Sequence, residues 1–222
     1  MKIKFDDCLT IGDFNEASVC IIWLHGYGAD NWGFEPLMKI LHLELDEKVF
    51  IVIPNAPIEN QKRSWYPLPQ KNETGELQED YKGLTKAIIS IRELFQKLSN
   101  DSLESSNNRA LLVGGFSQGA ALGLAVLCDP DTSIDGCISL SGYMPCAQFF
   151  LNKMDTENEK IFIGHGTQDN VISIETHNKT MQFLKKLNVS IKESVGQFGH
   201  TVPNKIIYDV VDWIRKNYLT KQ

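Results

Sequence analysis

Hydrophobic positions along the chain fall into two alternating patterns. Ser18–Leu24, Val49–Ile53, Ala110–Gly114, Ile134–Leu140, Lys160–Gly164 and Ser190–Val195 are short runs rich in β-branched and aliphatic residues. Most show no polar alternation, as expected of parallel strands covered on both faces. Between them the apolar residues recur at helical spacing. Asp80–Leu98 puts Leu84, Ala87, Ile88, Ile91, Phe95 and Leu98 on one stripe. Ile174–Leu187 does so with Met181, Leu184 and Leu187, and Pro203–Tyr218 with Ile207, Val210, Val211, Ile214 and Tyr218. Pro203 suits a first helical turn, where an N–H is not needed. A small-residue helix is expected over Gln118–Cys128. Strand–helix alternation along the whole chain predicts an α/β fold: one domain over residues 1–222, with a mainly parallel sheet and helices on both faces.

Two stretches interrupt the rhythm. Pro54–Thr74 holds four of the eight prolines and the Trp65–Tyr66 pair, and Ser141–Glu159 reads as mostly irregular. Long loops in a compact domain tend to be functional, and both are candidates to cover a site at the carboxyl ends of the strands. Ser99–Asn108, rich in Ser and Asn, reads as a solvated loop.

Composition narrows the possibilities. At 222 residues the chain can bury a core without disulfide or metal staples. Its apolar runs are too short to cross a bilayer, and no secretory signal pattern opens it. A net charge of −6 disfavours a non-specific nucleic-acid binder, which needs a cationic footprint. The five cysteines are odd in number and form no CxxC pair, so reduced thiols and a cytoplasmic setting are expected. Cys128, Cys137 and Cys146 read as core fillers. No two histidines stand in HxH or HExxH spacing, and no metal site is expected. His42 and His177 read as helical surface or packing residues, and His25 and His165 as braces of their loops.

Gly115-Phe116-Ser117-Gln118-Gly119 matches G-x-S-x-G between a strand and a helix. At such a turn the serine is held in a strained conformation, and the helix N-terminus favours negative charge. A serine hydroxyl needs a base, which in turn needs an orienting acid. Asp169 follows the strand Lys160–Gly164, and His200 follows Ser190–Val195. Serine, acid and histidine thus stand in that order, each after a later strand. Stabilising an oxyanion needs two backbone donors; Gln118 is one candidate. Tyr27, within His25-Gly26-Tyr27-Gly28, is the other. The rival motifs fail: Ala120 stands where a P-loop lysine is required, and Asn31 replaces the third glycine of a dinucleotide fingerprint. Trp65, Tyr66, Phe116 and Met144 are candidates for an apolar acyl pocket, or else for core packing.

Five blocks resemble the acyl-protein thioesterase, or phospholipase/carboxylesterase, family. They are His25-Gly26-Tyr27-Gly28-Ala29-Asp30, Arg63-Ser64-Trp65-Tyr66, Gly114 through Ala120, His165-Gly166-Thr167-Gln168-Asp169 and Gly199-His200-Thr201-Val202. The resemblance runs in order from about residue 18 to 217. It implies a minimal α/β-hydrolase without a cap domain, acting on esters or thioesters. It also implies Ser117, Asp169 and His200 as a catalytic triad, Tyr27 and Gln118 as oxyanion donors, and no cofactor. Members are commonly cytosolic and some form homodimers. The family pattern has an aspartate where this chain has Pro67. The expected substrate is a small-molecule ester, a lysophospholipid or an acylated protein. The rivals are a lysophospholipase or small-ester carboxylesterase without protein substrates, and a catalytically silent binding module on the same fold.

Overall fold

The computed structural model describes residues 7–75, 77–104, 109–151, 160–187 and 189–219. Among these residues seven strands form the main sheet: β1 (Leu9–Ile11), β2 (Val19–Leu24), β3 (Val49–Ile53), β8 (Ala110–Phe116), β9 (Gly136–Leu140), β10 (Lys160–Gly166) and β11 (Ser190–Gly196). Two small hairpins, β4 (Ile58–Glu59) with β5 (Lys62–Arg63) and β6 (Gln70–Lys71) with β7 (Leu77–Gln78), stand apart from it. The sheet order is β1-β3-β2-β8-β9-β10-β11, parallel throughout except for the antiparallel β1–β3 pair.

Among the described residues five α-helices cover the sheet: α1 (Glu35–Glu44), α2 (Tyr81–Glu104), α3 (Gln118–Leu127), α4 (Ile174–Leu184) and α5 (Asn204–Ile214). The continuous apolar runs have their explanation here. Every residue of β2, β3 and β9 is buried, because side chains alternate between two cores. Cys20, Ile22 and Leu24 enter the core beneath α2, α3 and α4, together with Leu84, Leu122 and Leu184. Val19, Ile21 and Trp23 enter the opposite core with Met38 and Leu41 of α1 and Val210 and Ile214 of α5. All ten residues of α3 are buried, and that helix shows no amphipathic stripe.

The structure changes several expectations. α2 continues through Ser99 to Glu104, so the first part of the expected solvated loop is helical; residues 105–108 lie outside the described residues. Pro203 precedes α5 in extended conformation instead of occupying its first turn. α5 ends at Ile214, and a wider i→i+5 turn carries the chain from Arg215 to Leu219. α4 begins behind the cap Ser173 and stops at Leu184, short of Leu187. Pro54–Thr74 is less irregular than its composition suggests, holding β4, β5 and β6. Among the described residues of Ser141–Glu159 only one short helical turn, Ala147–Phe149, appears; residues 152–159 lie outside them. Cys20, Cys128, Cys137 and Cys146 are buried and Cys8 is half-buried, and none of the five is held in a disulfide.

Candidate active site

β8, β10 and β11 deliver three side chains just beyond their carboxyl ends. Ser117 follows β8 with φ 55° and ψ −119° and caps α3. A left-handed φ in a residue with a β-carbon costs on the order of 1–3 kcal/mol, and the surroundings must hold it. They do so through close packing: a β-carbon on Gly119 would lie 2.1 Å from the Leu24 carbonyl oxygen. Only glycine lets the first turn of α3 press so near the end of β2.

His200 bridges the other two residues. Its Nε2 accepts from the Ser117 hydroxyl at 3.0 Å, and its Nδ1–H donates to Asp169 Oδ2 at 2.7 Å. The Asp169 and His200 loops are pressed together at Gly166, where a β-carbon would meet the Phe198 carbonyl at 2.1 Å. The Phe116 ring packs against the His200 imidazole, with centroids 4.7 Å apart. Asp169 Oδ1 accepts from the Val171 and Ile172 N–H groups, each at 2.9 Å. Burial pushes the Asp169 carboxyl up, but the hydrogen bonds from His200, Ile172 and Val171 outweigh it and hold the group below the ordinary carboxylate range. The acid therefore stays ionised beside the imidazole.

Tyr27 and Gln118 border the same cleft as Ser117. Gln118 opens α3, so its N–H belongs to the first turn, where no intrahelical acceptor exists. Its buried side chain ties down the Trp65 segment. Oε1 accepts from Trp65 N–H at 3.1 Å, while Nε2 donates to Ser64 Oγ at 3.1 Å and the Tyr66 carbonyl at 2.8 Å. On the far side, Trp65 Nε1–H donates to the His25 carbonyl at 2.7 Å, and Gly28 N–H donates to the Arg63 carbonyl. His25 accepts from Ala56 N–H at Nε2 and, through Nδ1–H, donates to the Gly26 carbonyl. Burial pushes that imidazole down, in keeping with a neutral ring in this role. These bonds hold the segment ahead of Pro67, the position where the resembled pattern has an aspartate.

The cleft over Ser117 has a volume of about 470 Å³ and is mostly apolar. Its walls are Leu68 and Pro69, Leu77 and Glu79, Tyr143, and the Val171–Ile172–Thr176 segment. None of the four expected pocket residues lines it. Trp65 and Tyr66 are buried and turned towards a separate groove beside α2. Met144 is buried in the core, and Phe116 lies under His200. The aliphatic lining of this cleft is not legible from sequence alone, because Leu68, Leu77 and Val171 are isolated residues without local periodicity. Their one signal is position, beside Pro67 and Pro69 or directly after Asp169.

Among the described residues no helix is long and apolar enough to cross a membrane. Residues 10–218 match the family model described as phospholipase/carboxylesterase. The chain is 29% identical over 226 residues to acyl-protein thioesterase 1 of Candida albicans, covering 93% of this chain and 95% of that one. It is 27% identical over 211 residues to acyl-protein thioesterase 1 of Yarrowia lipolytica, covering 89% and 91%. The crystal structure of Arabidopsis thaliana SOBER1 superposes with a TM-score of 0.76 at 24% identity, covering 90% of this chain and 98% of that one. The chain belongs to the phospholipase/carboxylesterase family, and is a hydrolase of the carboxylesterase, acyl-protein-thioesterase-like kind on an α/β-hydrolase fold.

Proposed function

We propose that the protein cleaves carboxylic esters, and acyl thioesters, through an acyl-enzyme on Ser117. Ser117 Oγ bonds to the substrate carbonyl carbon as its proton passes to His200 Nε2. The backbone N–H groups of Gln118 and Tyr27 stabilise the resulting oxyanion. Collapse breaks the bond to the leaving alcohol or thiol, which takes the proton back from His200. Water then repeats the sequence and releases the acid. Asp169 keeps its charge throughout, holding the imidazole in its tautomer and supporting the imidazolium. The acyl chain lies along the aliphatic cleft, and nothing in this route calls for a cofactor.

The observation that carries this reading is the hydrogen-bonded chain from Ser117 through His200 to Asp169, at 3.0 and 2.7 Å. Its test is a fluorophosphonate probe together with p-nitrophenyl esters of increasing chain length and a palmitoylated peptide. Labelling of Ser117 with turnover of both substrate kinds is the expected result. Turnover of the esters alone would remove the protein thioesterase part, and a folded protein that escapes labelling would overturn the mechanism.

A further inference from the structure

A second imidazole stands behind the acid. His165 lies near the end of β10, fully buried, and its Nε2 is 2.8 Å from the Ile172 carbonyl oxygen. A carbonyl only accepts, so Nε2 carries the proton. Ile172 is thereby gripped twice: its C=O by His165 and its N–H by Asp169 Oδ1. The same Nε2 lies 3.7 Å from Asp169 Oδ2, too far for a hydrogen bond but near enough for its dipole to favour the ionised carboxylate. The His177 ring of α4 packs against it in a tilted arrangement, with ring centroids 4.7 Å apart, and its Nε2 meets Glu193 of β11 at 2.8 Å. His165 Nδ1 is buried without a hydrogen-bond partner among the described residues. A second proton there would find no acceptor and would set a cation beside Asp169, in competition with His200. Burial, the largest influence, pushes the His165 imidazole down.

We propose that His165 is a positioning residue for the reaction. As a neutral Nε2–H tautomer it fixes the Asp169–Ile172 turn so that Oδ2 meets His200, and it leaves that carboxylate to His200 alone. The proposal rests on the serine-hydrolase reading above. The charged and titratable groups facing His165 are Asp169 of its own loop, His177 of α4 and His200, with Glu193 beyond His177.

The test is steady-state hydrolysis of p-nitrophenyl butyrate across pH. His165→Phe keeps a ring but loses the donor. Its kcat should fall about ten- to a hundredfold with KM unchanged. The acid limb of kcat/KM should move to lower pH, because the protonated form of His200 is less well supported. His165→Gln, whose amide N–H reaches a similar point, should recover most of kcat. Unchanged kcat and acid limb in His165→Phe would overturn the proposal. So would a loss without a moved acid limb or rescue by glutamine, which is the mark of a merely structural role. If His165→Phe does not fold, ¹⁵N spectra of the histidine-labelled wild-type protein decide. A neutral Nε2–H signal at neutral pH supports the proposal, and an Nδ1–H tautomer or a cation overturns it. A wild-type protein that neither turns over the ester nor takes a fluorophosphonate on Ser117 fails the underlying reading and this proposal together. An active wild type with an unaltered variant fails this proposal only.

Discussion

The side-chain oxygen of Gln118 accepts the Trp65 N–H at 3.1 Å, while the backbone of Gln118 begins the helix under Ser117. One residue thus couples the Ser117 turn to the loop that also grips His25. Replacing Gln118 with methionine keeps its length but leaves the Trp65 N–H without an acceptor and the Tyr66 carbonyl without this donor. An unsatisfied buried group costs about 1–3 kcal/mol. Urea unfolding of Gln118→Met should show a loss in that range, and kcat should fall further than KM changes. Wild-type stability and turnover would show that the clamp is dispensable.

Asp169→Asn retains an acceptor for the Val171 and Ile172 N–H groups but loses the charge beside His200. Turnover should fall by about ten-thousandfold, with a melting temperature close to that of the wild type. The comparison of ester turnover with the melting curve separates this outcome from simple unfolding. Retained activity would mean that another group serves as the acid.

Acid should weaken the fold through two buried histidines. Burial pushes His25 and His165 below their ordinary value of 6.5. Above that value both are neutral whether the chain is folded or not. Below it the unfolded chain binds protons that the folded chain refuses, so stability falls with pH, by up to about 1.4 kcal/mol per histidine per pH unit. Glu79, whose carboxyl burial pushes up, acts in the opposite sense nearer the carboxylate range. Urea midpoints compared between about pH 7.5 and 5.5 isolate the histidines; a flat profile would contradict the assignment.

Leu68, Leu77 and Val171 are partly exposed where they border the cleft, at 42%, 70% and 65%. Replacing Leu77 with serine should raise KM severalfold for p-nitrophenyl esters of long acyl chains and leave the acetate ester nearly unaffected. Each methylene that loses an apolar contact forfeits up to about 0.8 kcal/mol. Met144→Leu, deep in the core, should leave the chain-length profile as it was. The profile itself is the measurement.

Gly119→Ala adds a single carbon at 2.1 Å from the Leu24 carbonyl oxygen, where the neighbours are backbone and cannot step aside. A loss of about 4 kcal/mol or more is expected, seen as poor soluble yield or a large drop in melting temperature. Near-normal melting would show that α3 is free to shift along β2.

Much of this arrangement is legible in the amino-acid sequence. Strands such as Val49–Ile53 are legible because burial on both faces leaves an unbroken apolar run. Ser117, Asp169 and His200 are legible because each follows a strand and is flanked by glycine-rich turns. β1 is not, since three residues carry no period, and its place beside β3 is set by pairing between distant segments. The hairpins of β4 to β7 are exposed two-residue pairs with almost no hydrophobic signature. Trp65 and Tyr66 mislead for a physical reason: aromatics in a proline-rich loop look available to a ligand, yet the polar side chain of Gln118 draws that segment inward. The direction in which a loop faces is decided by such long-range bonds. His165 is legible only as a loop brace, because its bond to Ile172 depends on how the chain returns after Asp169.

The placement of the thiols bears on handling and labelling. Burial raises the Cys20 thiol to about 11 and the Cys146 thiol to about 12, and holds Cys137 well above its ordinary range. In that state they carry almost no thiolate at neutral pH and are poor targets for oxidants or alkylating agents. Cys8, half-buried just ahead of β1, is the one described cysteine that is not buried. A maleimide dye should therefore attach at a single point near the edge of the sheet, giving a reporter of fold integrity without any engineered cysteine.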